Sequence, residues 1–122
     1  MKMTMAAVML LAVSAMAGNL TGKWSGSFKV EGGDHNVPQL FILKQGGKSL
    51  TGSGGPNAGE QYPIENGRID GNEIRFELTT GEWKFAYDLK RTESDGLQGE
   101  LKLESVGDSR KAKVSLARVK GE

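Results

Sequence analysis

Strict alternation of apolar and polar residues in the second half of the chain restricts it to a β-sheet with one polar face. In EIRFEL (73–78), WKFAYDL (83–89) and LQGELKLE (97–104), every second residue is apolar or glycine and most of the others are charged. Successive side chains of a strand point to opposite faces of the sheet, so a period of two gives each strand one apolar face and one charged face. The pattern predicts antiparallel strands with one face in water.

Eight runs of this kind are separated by turn residues, which is typical of an all-β sandwich or barrel. They cover residues 23–30, 38–44, 49–53, 61–69, 73–79, 82–90, 97–104 and 111–119. Eight strands enclose a space that side chains just fill, or that holds one small ligand. We therefore predict an all-β fold, an eight-stranded antiparallel up-and-down β-barrel.

The fourth run contains an irregularity. Ile64 and Ile69 are five residues apart, so strict alternation would place them on opposite faces. A one-residue bulge at Asn66 and Gly67 would return both to the core. The competing interpretation makes Asn66-Gly67 a hairpin turn, but DGNE (70–73) already supplies a turn signal. We therefore predict the bulge.

The charged faces also bear on the environment of the barrel. An outer-membrane barrel directs apolar residues outward and polar residues into its lumen. Here the aromatic residues of each run share one face and must form the core, so the lysines, arginines and carboxylates lie outside. The sequence predicts a barrel with a polar outer surface and no membrane span.

The first segment, MKMTMAAVMLLAVSAMA (1–17), has the layout of a secretory signal peptide. A basic residue precedes an apolar run at 5–13, and Ala15 and Ala17 form an A-x-A cleavage site. The apolar run is shorter than the roughly 18 residues that a membrane-spanning helix requires. We expect residues 18–122 to form a single barrel domain that is secreted or periplasmic and monomeric.

Composition excludes several classes of function. The chain has 16 Lys and Arg residues, one of them Lys2 in the leader, against 15 Asp and Glu residues, so the 18–122 segment is formally neutral. Nucleic-acid binders usually carry a basic excess on one face. There is no cysteine, and His35 is the only histidine, which is too few ligands for a zinc site. We expect no metal, no cofactor and no nucleic-acid partner.

Asn19 lies in an NLT sequon (19–21). Such a sequon is a glycosylation site only in a eukaryotic host.

No catalytic group is apparent. The serines lie in turns or on outward faces without a partner base, so no nucleophilic triad can be assembled. The glycine-rich GSGGPNAGEQ (52–61) lacks the following helix that a phosphate-binding loop requires, and it is interpreted as a long hairpin loop. The sequence predicts that the protein is not an enzyme.

The first strand carries a family resemblance. LTGKWSGSF (20–28) contains Gly22 and Trp24 in the G-x-W pattern that opens the first strand of lipocalins and related calycin barrels. The resemblance implies an arginine on the last strand stacked on the tryptophan at the closed end, and SLARVK (115–120) offers Arg118. Such a cation–π pair contributes about 0.5–2 kcal/mol.

Two further likenesses are narrower. LTGKW (20–24) resembles the opening of avidin-type biotin binders, but the chain has only two tryptophans and lacks a matching polar set, so no biotin site is expected. GKWSGSF (22–28) and FILKQGGKSLTG (41–52) also resemble small exported bacterial barrels, which implies a fold and not a function.

The interior remains as the candidate site. We expect a non-catalytic binding protein for a small apolar or amphipathic molecule at the end opposite Trp24, where glycine-rich loops are predicted at 31–37, 54–60, 79–82 and 105–110. The ring expected to contact it is Val30, Phe41, Tyr62, Leu78, Trp83 and Leu103. The alternative is a protein-interaction or inhibitor module that acts through its loops around a filled interior. A void above the aromatic residues would favour the first.

Overall fold

The computed structural model describes residues 19–119, which form nine β-strands and no helix. The predicted leader (1–17) and its cleavage point lie outside the described residues. The strands are β1 (Gly22–Val30), β2 (Val37–Gly46), β3 (Ser49–Asn57), β4 (Glu60–Pro63), β5 (Glu65–Asp70), β6 (Glu73–Thr80), β7 (Trp83–Arg91), β8 (Gly96–Ser105) and β9 (Asp108–Arg118). Within residues 19–119 no helix is present that could cross a membrane.

The strands close into one antiparallel barrel. β1 pairs with β2 on one side and with β9 on the other, and β2 also pairs with β3. β4 and β5 together occupy one strand position of the barrel, since both pair with β3 and they are separated only at Ile64. The barrel therefore has eight strand positions with up-and-down connections, and the predicted fold class is confirmed.

The predicted bulge in the fourth strand position, formed by β4 and β5, is confirmed and the hairpin interpretation is wrong. The β5–β6 register shifts between Glu65 and Arg68, and Asn66 adopts a left-handed φ of +55°. Ile69 is buried and Ile64 packs against the same core. Gly67 is needed for a different reason, because a Cβ at this position would overlap the carbonyl oxygen of Leu50.

Three predicted long loops are wrong, and the 79–82 loop is a two-residue turn of Gly81 and Glu82 between β6 and β7. The other two are 54–60 and 105–110. β3 continues to Asn57 and β4 begins at Glu60, and β8 and β9 are joined by Val106 and Gly107 alone. The first turn is tightened by a side chain, since Asn57 Oδ1 accepts a hydrogen bond from the Gly59 amide at 2.9 Å. The second uses the positive φ of Gly107, +78°. At this end of the barrel the one longer connection in the described chain is 31–36.

The core is continuous from one end of the barrel to the other. Its middle is an aromatic layer, defined as Phe41, Phe76 and Tyr87, which are almost fully buried. Phe76 stacks on Tyr87 with ring centroids 4.8 Å apart, and Phe41 meets the two rings edge-on at 5.4 and 5.3 Å. Edge-to-face and offset geometries are those that aromatic pairs prefer. The layer separates the two ends of the interior.

Candidate ligand-binding cavity

The end of the barrel that contains Trp24 is closed by a stacked pair. Trp24 is 1% exposed, and Cζ of Arg118 lies 4.4 Å from the centroid of its ring. Arg118 Nε also donates to Asp95 Oδ2 at 2.8 Å. Gly22 leaves room for this guanidinium, because a Cβ there would lie 3.2 Å from Arg118 Nη1. These contacts cover the part of the barrel interior that lies next to Trp24.

The segment before β1 completes this closure. Leu20 is fully buried, and its carbonyl accepts a hydrogen bond from Trp24 Nε1 at 3.0 Å. Arg118 donates to the carbonyls of Thr21 and Asn19, both at 3.0 Å, and the Leu20 amide donates to Gln45 Oε1 at 2.7 Å. The segment is thus fastened across the end of the barrel, and a ligand cannot enter there without displacing it.

The opposite end is open above the aromatic layer. A cavity of about 180 Å³ lies there. It is lined by Phe28, Val37, Gln39, Gly55, Pro56, Glu60, Tyr62, Leu78, Thr80, Phe85 and Tyr87. Most of the lining is apolar, with a few polar groups, which is the mixture that small-molecule sites show.

The cavity exists because β3 contributes little bulk to the interior. After Leu50, the alternation of the strand places Gly54 and Pro56 on the inward side, whereas the other strands carry large residues at comparable positions. Gly54 lies against Phe41, and a Cβ at Gly54 would overlap the Phe41 ring. The missing side chains leave space above that ring.

The barrel wall is also incomplete beside the cavity. β5 pairs with β6 as far as Glu65 opposite Glu77, and beyond this point β4 pairs with β3 alone. In the described chain, the last residues of β6, Leu78–Thr80, therefore pair only with β7. Tyr62, Leu78 and Thr80 border this gap, and all three line the cavity. On this side the cavity is therefore bounded by side chains, and not by two strands joined through backbone hydrogen bonds.

One hydrogen-bonded pair forms the polar part of the cavity floor. Tyr87 donates its hydroxyl proton to Gln39 Oε1 at 2.6 Å, and Gln39, 6% exposed, donates from Nε2 to the Pro38 carbonyl at 2.9 Å. Burial raises the pKa of Tyr87 far above its ordinary value, so the phenol is neutral at physiological pH. The floor is therefore uncharged and its two polar side chains are mutually satisfied.

The rim carries a second pair. Tyr62 donates its hydroxyl proton to Glu60 Oε2 at 2.6 Å. The hydrogen bond to Glu60 is the main cause of a raised pKa of Tyr62, with desolvation and the negative charge of Glu60 adding to it. Among the described residues, Glu60 is the one charged residue in the lining. The cavity thus has an apolar body, a neutral floor and a carboxylate at its rim.

The six residues expected to form the ring do not all meet at this cavity. Tyr62 and Leu78 line it. Phe41 lies below in the aromatic layer, and Val30, Trp83 and Leu103 pack on the core without lining the cavity. Sequence reasoning missed Gln39, although a glutamine at an inward position of VPQLF (37–41) is a detectable signal.

Other candidate features are weaker. Within residues 19–119 no group of three or more His, Asp or Glu side chains is placed to hold a metal ion. Two wider concavities lie on the outside of the sheet, lined mainly by exposed polar and charged side chains. No protein-family model, no curated protein and no solved structure matches the chain. The cavity at the open end is the feature on which a function can be based.

Proposed function

We propose that the protein is a non-catalytic binding protein that holds one small apolar or amphipathic molecule at the open end of its barrel. The observation that supports the proposal is the cavity of about 180 Å³ above the aromatic layer. An apolar cavity of roughly 150 Å³ in another protein binds benzene. The ligand is therefore about the size of a single substituted ring, and a long acyl chain would not fit.

The proposal includes a relationship to lipocalin-like barrels and export from the cytoplasm. Gly22, Trp24 and Arg118 have the arrangement that the G-x-W resemblance implies. Export is supported by the leader pattern in 1–17. The intact mass of protein recovered from the periplasm or medium tests it: a chain beginning at Gly18 is expected, and a form that retains Met1 to Ala17 would contradict it.

The alternative, a module that acts through its loops, has less support. It requires a filled interior and an apolar surface at the loops. Among the described residues the exposed large apolar side chains are Ile42 and Val106. Val106 lies in the β8–β9 turn at the open end, whereas Ile42 is on β2 near the closed end. These two side chains do not form a patch.

The test is an NMR titration of ¹⁵N-labelled protein with toluene. We expect shift changes at the amides of Phe28, Leu78 and Tyr87. Val37→Phe should abolish them, because the added ring occupies the cavity. Ile42→Phe, on the outer face of the same strand, should leave them unchanged. Thermal unfolding of both variants checks that they are folded.

Two outcomes would contradict the proposal: no response of the wild-type protein to toluene, or an unchanged response in folded Val37→Phe. If toluene binds as expected, native mass spectrometry of protein purified from its own host would identify the natural ligand, as a mass that is retained by the wild-type protein and lost from Val37→Phe.

A further inference from the structure

Glu60 is placed to bind a charged group of a ligand in the cavity. It is the one charged side chain among the lining residues that the structure describes. A carboxylate has two oxygens and about four acceptor positions. Tyr62 uses one position on Oε2, and within residues 19–119 no hydrogen bond or ion pair to Oε1 is seen. The Tyr62 oxygen, which donates to Glu60, also keeps its own lone pairs as acceptors.

The backbone around Glu60 is fixed before any ligand arrives. Gln61, the next residue, donates from Nε2 to the carbonyls of Asn57 at 2.8 Å and Leu40 at 3.1 Å. Its Oε1 accepts a hydrogen bond from Ser53 Oγ at 2.7 Å. Three strands are thereby tied together beside Glu60. A binding group held in place in this way loses little conformational entropy when a ligand binds.

The charged side chains of the segments that connect the strands at the open end are all carboxylates. Four connections join the strands at this end. Each of the three short turns is taken together with the first residue of the strand that follows it, which gives the segments 31–36, 58–60, 81–83 and 106–108. They contain no Lys or Arg. Their carboxylates are Glu31, Asp34, Glu60, Glu82 and Asp108. Of these, Asp108 is paired with Arg110 at 3.4 Å. Nearby cations on the strands include Lys84, which is paired with Glu77 at 3.4 Å, and Arg110, which is paired with Asp108. The carboxylates of the connections therefore favour a cation over an anion at the cavity mouth.

We propose that the cavity selects a small amphipathic cation, an aryl- or alkylammonium of about eight or nine heavy atoms in line with the small cavity. The apolar part of the ligand lies between Phe28, Leu78 and Phe85. The ammonium donates to Glu60 Oε1 and to the Tyr62 oxygen at the rim. This inference rests on the proposed function and names its ligand class. Ligands that carry a carboxylate or phosphate are disfavoured by repulsion from the same carboxylate.

Three probes of nearly equal size and different charge test the selection: benzylamine, benzyl alcohol and benzoate. Their dissociation constants are measured by NMR titration at pH 7 and low salt. We expect benzylammonium to bind about tenfold or more tightly than benzyl alcohol, the size of effect that a hydrogen bond to a charged group gives. Benzoate should bind more weakly than benzyl alcohol.

Two matched variants locate the effect. Glu60→Gln keeps the size of the side chain and removes its charge, so it should abolish the preference for benzylammonium while benzyl alcohol binds as before. Glu82→Gln removes another open-end carboxylate that does not line the cavity. It should leave most of the preference intact.

The outcomes separate this inference from the proposed function. If none of the probes binds, the cavity is not a binding site and both fall. If benzyl alcohol binds the wild-type protein as tightly as benzylamine, the cavity binds ligands but the charge selection is overturned. If Glu82→Gln removes the preference as completely as Glu60→Gln, the selection arises from the general field and the assignment to Glu60 is wrong. The wild-type series needs no variant, so it remains decisive if Glu60→Gln does not fold.

Discussion

Arg118 lies over Trp24 with its guanidinium carbon 4.4 Å from the ring centroid, and the same guanidinium donates to the backbone of the segment that crosses the end of the barrel. The tryptophan in turn donates to Leu20 in that segment. The two residues therefore hold each other and a shared third element. Their energetic contributions should be strongly coupled.

A double-mutant cycle measures this coupling. Trp24→Ala should lower the free energy of unfolding by about 3–5 kcal/mol, the usual cost of removing a buried large aromatic residue. Arg118→Ala should cost less, and the double variant should cost less than the sum. Arg110→Ala, an exposed arginine on the same strand, should change stability by no more than about 0.5 kcal/mol. Additive effects of Trp24 and Arg118 in urea unfolding would contradict a shared closure.

Tyr87 should make the protein sensitive to alkaline pH. Burial raises its pKa above the ordinary value of about 10, so above that pH the unfolded chain loses a proton that the folded protein still holds. The free energy of unfolding should therefore fall as the pH rises above about 10. Urea unfolding between pH 8 and 12 measures the slope.

Tyr87→Phe should flatten this slope. It should also lower stability at pH 8 by about 1–3 kcal/mol, because Gln39 Oε1 is left buried without its donor. Tyr62→Phe is the control, since it retains Tyr87 and should keep the alkaline fall due to that residue. An equally steep fall in Tyr87→Phe would show that another group is responsible.

Gly54→Ala should be destabilising by about 1–3 kcal/mol, the range for overpacking a core. The added methyl group would overlap the ring of Phe41, which is fully buried. Gly46→Ala is the matched control on the neighbouring strand, because nothing lies within 4 Å of a Cβ there. Equal melting temperatures for the two variants would mean that Phe41 adjusts more freely than its burial implies.

The bulge in β5 should depend on the backbone conformation of Asn66. Its φ of +55° is accessible to glycine without strain, whereas for Ala it costs roughly 1–2 kcal/mol. Either substitution also removes the hydrogen bond from Asn66 Nδ2 to Glu77 Oε1 at 3.0 Å. Asn66→Gly should therefore be more stable than Asn66→Ala in chemical denaturation. The opposite order would show that the left-handed conformation is not retained in solution.

Local pattern was sufficient to predict the strands and their phase. The period of two in β6, β7 and β8 assigns each side chain to a face without knowledge of its neighbours, and the five-residue spacing of Ile64 and Ile69 requires a bulge for the same reason. The tight turns were missed, since the hydrogen bond from the Gly59 amide to Asn57 Oδ1 leaves no signal beyond a glycine-rich composition.

The sequence by itself determined the up-and-down strand order, most of the inward apolar residues and the pair Trp24 and Arg118, because these depend on alternation and on recognisable motifs. Only the tertiary structure decided which inward residues share a level. One row of cross-strand partners runs through Arg118, Trp24, Phe41, Gly54 and Tyr62. It begins at the closed end and finishes at the rim of the cavity, because the strands of a closed barrel are tilted and staggered. Positions counted from strand ends therefore differ in height, and the cavity gathers a different set of residues from the ring expected from the sequence.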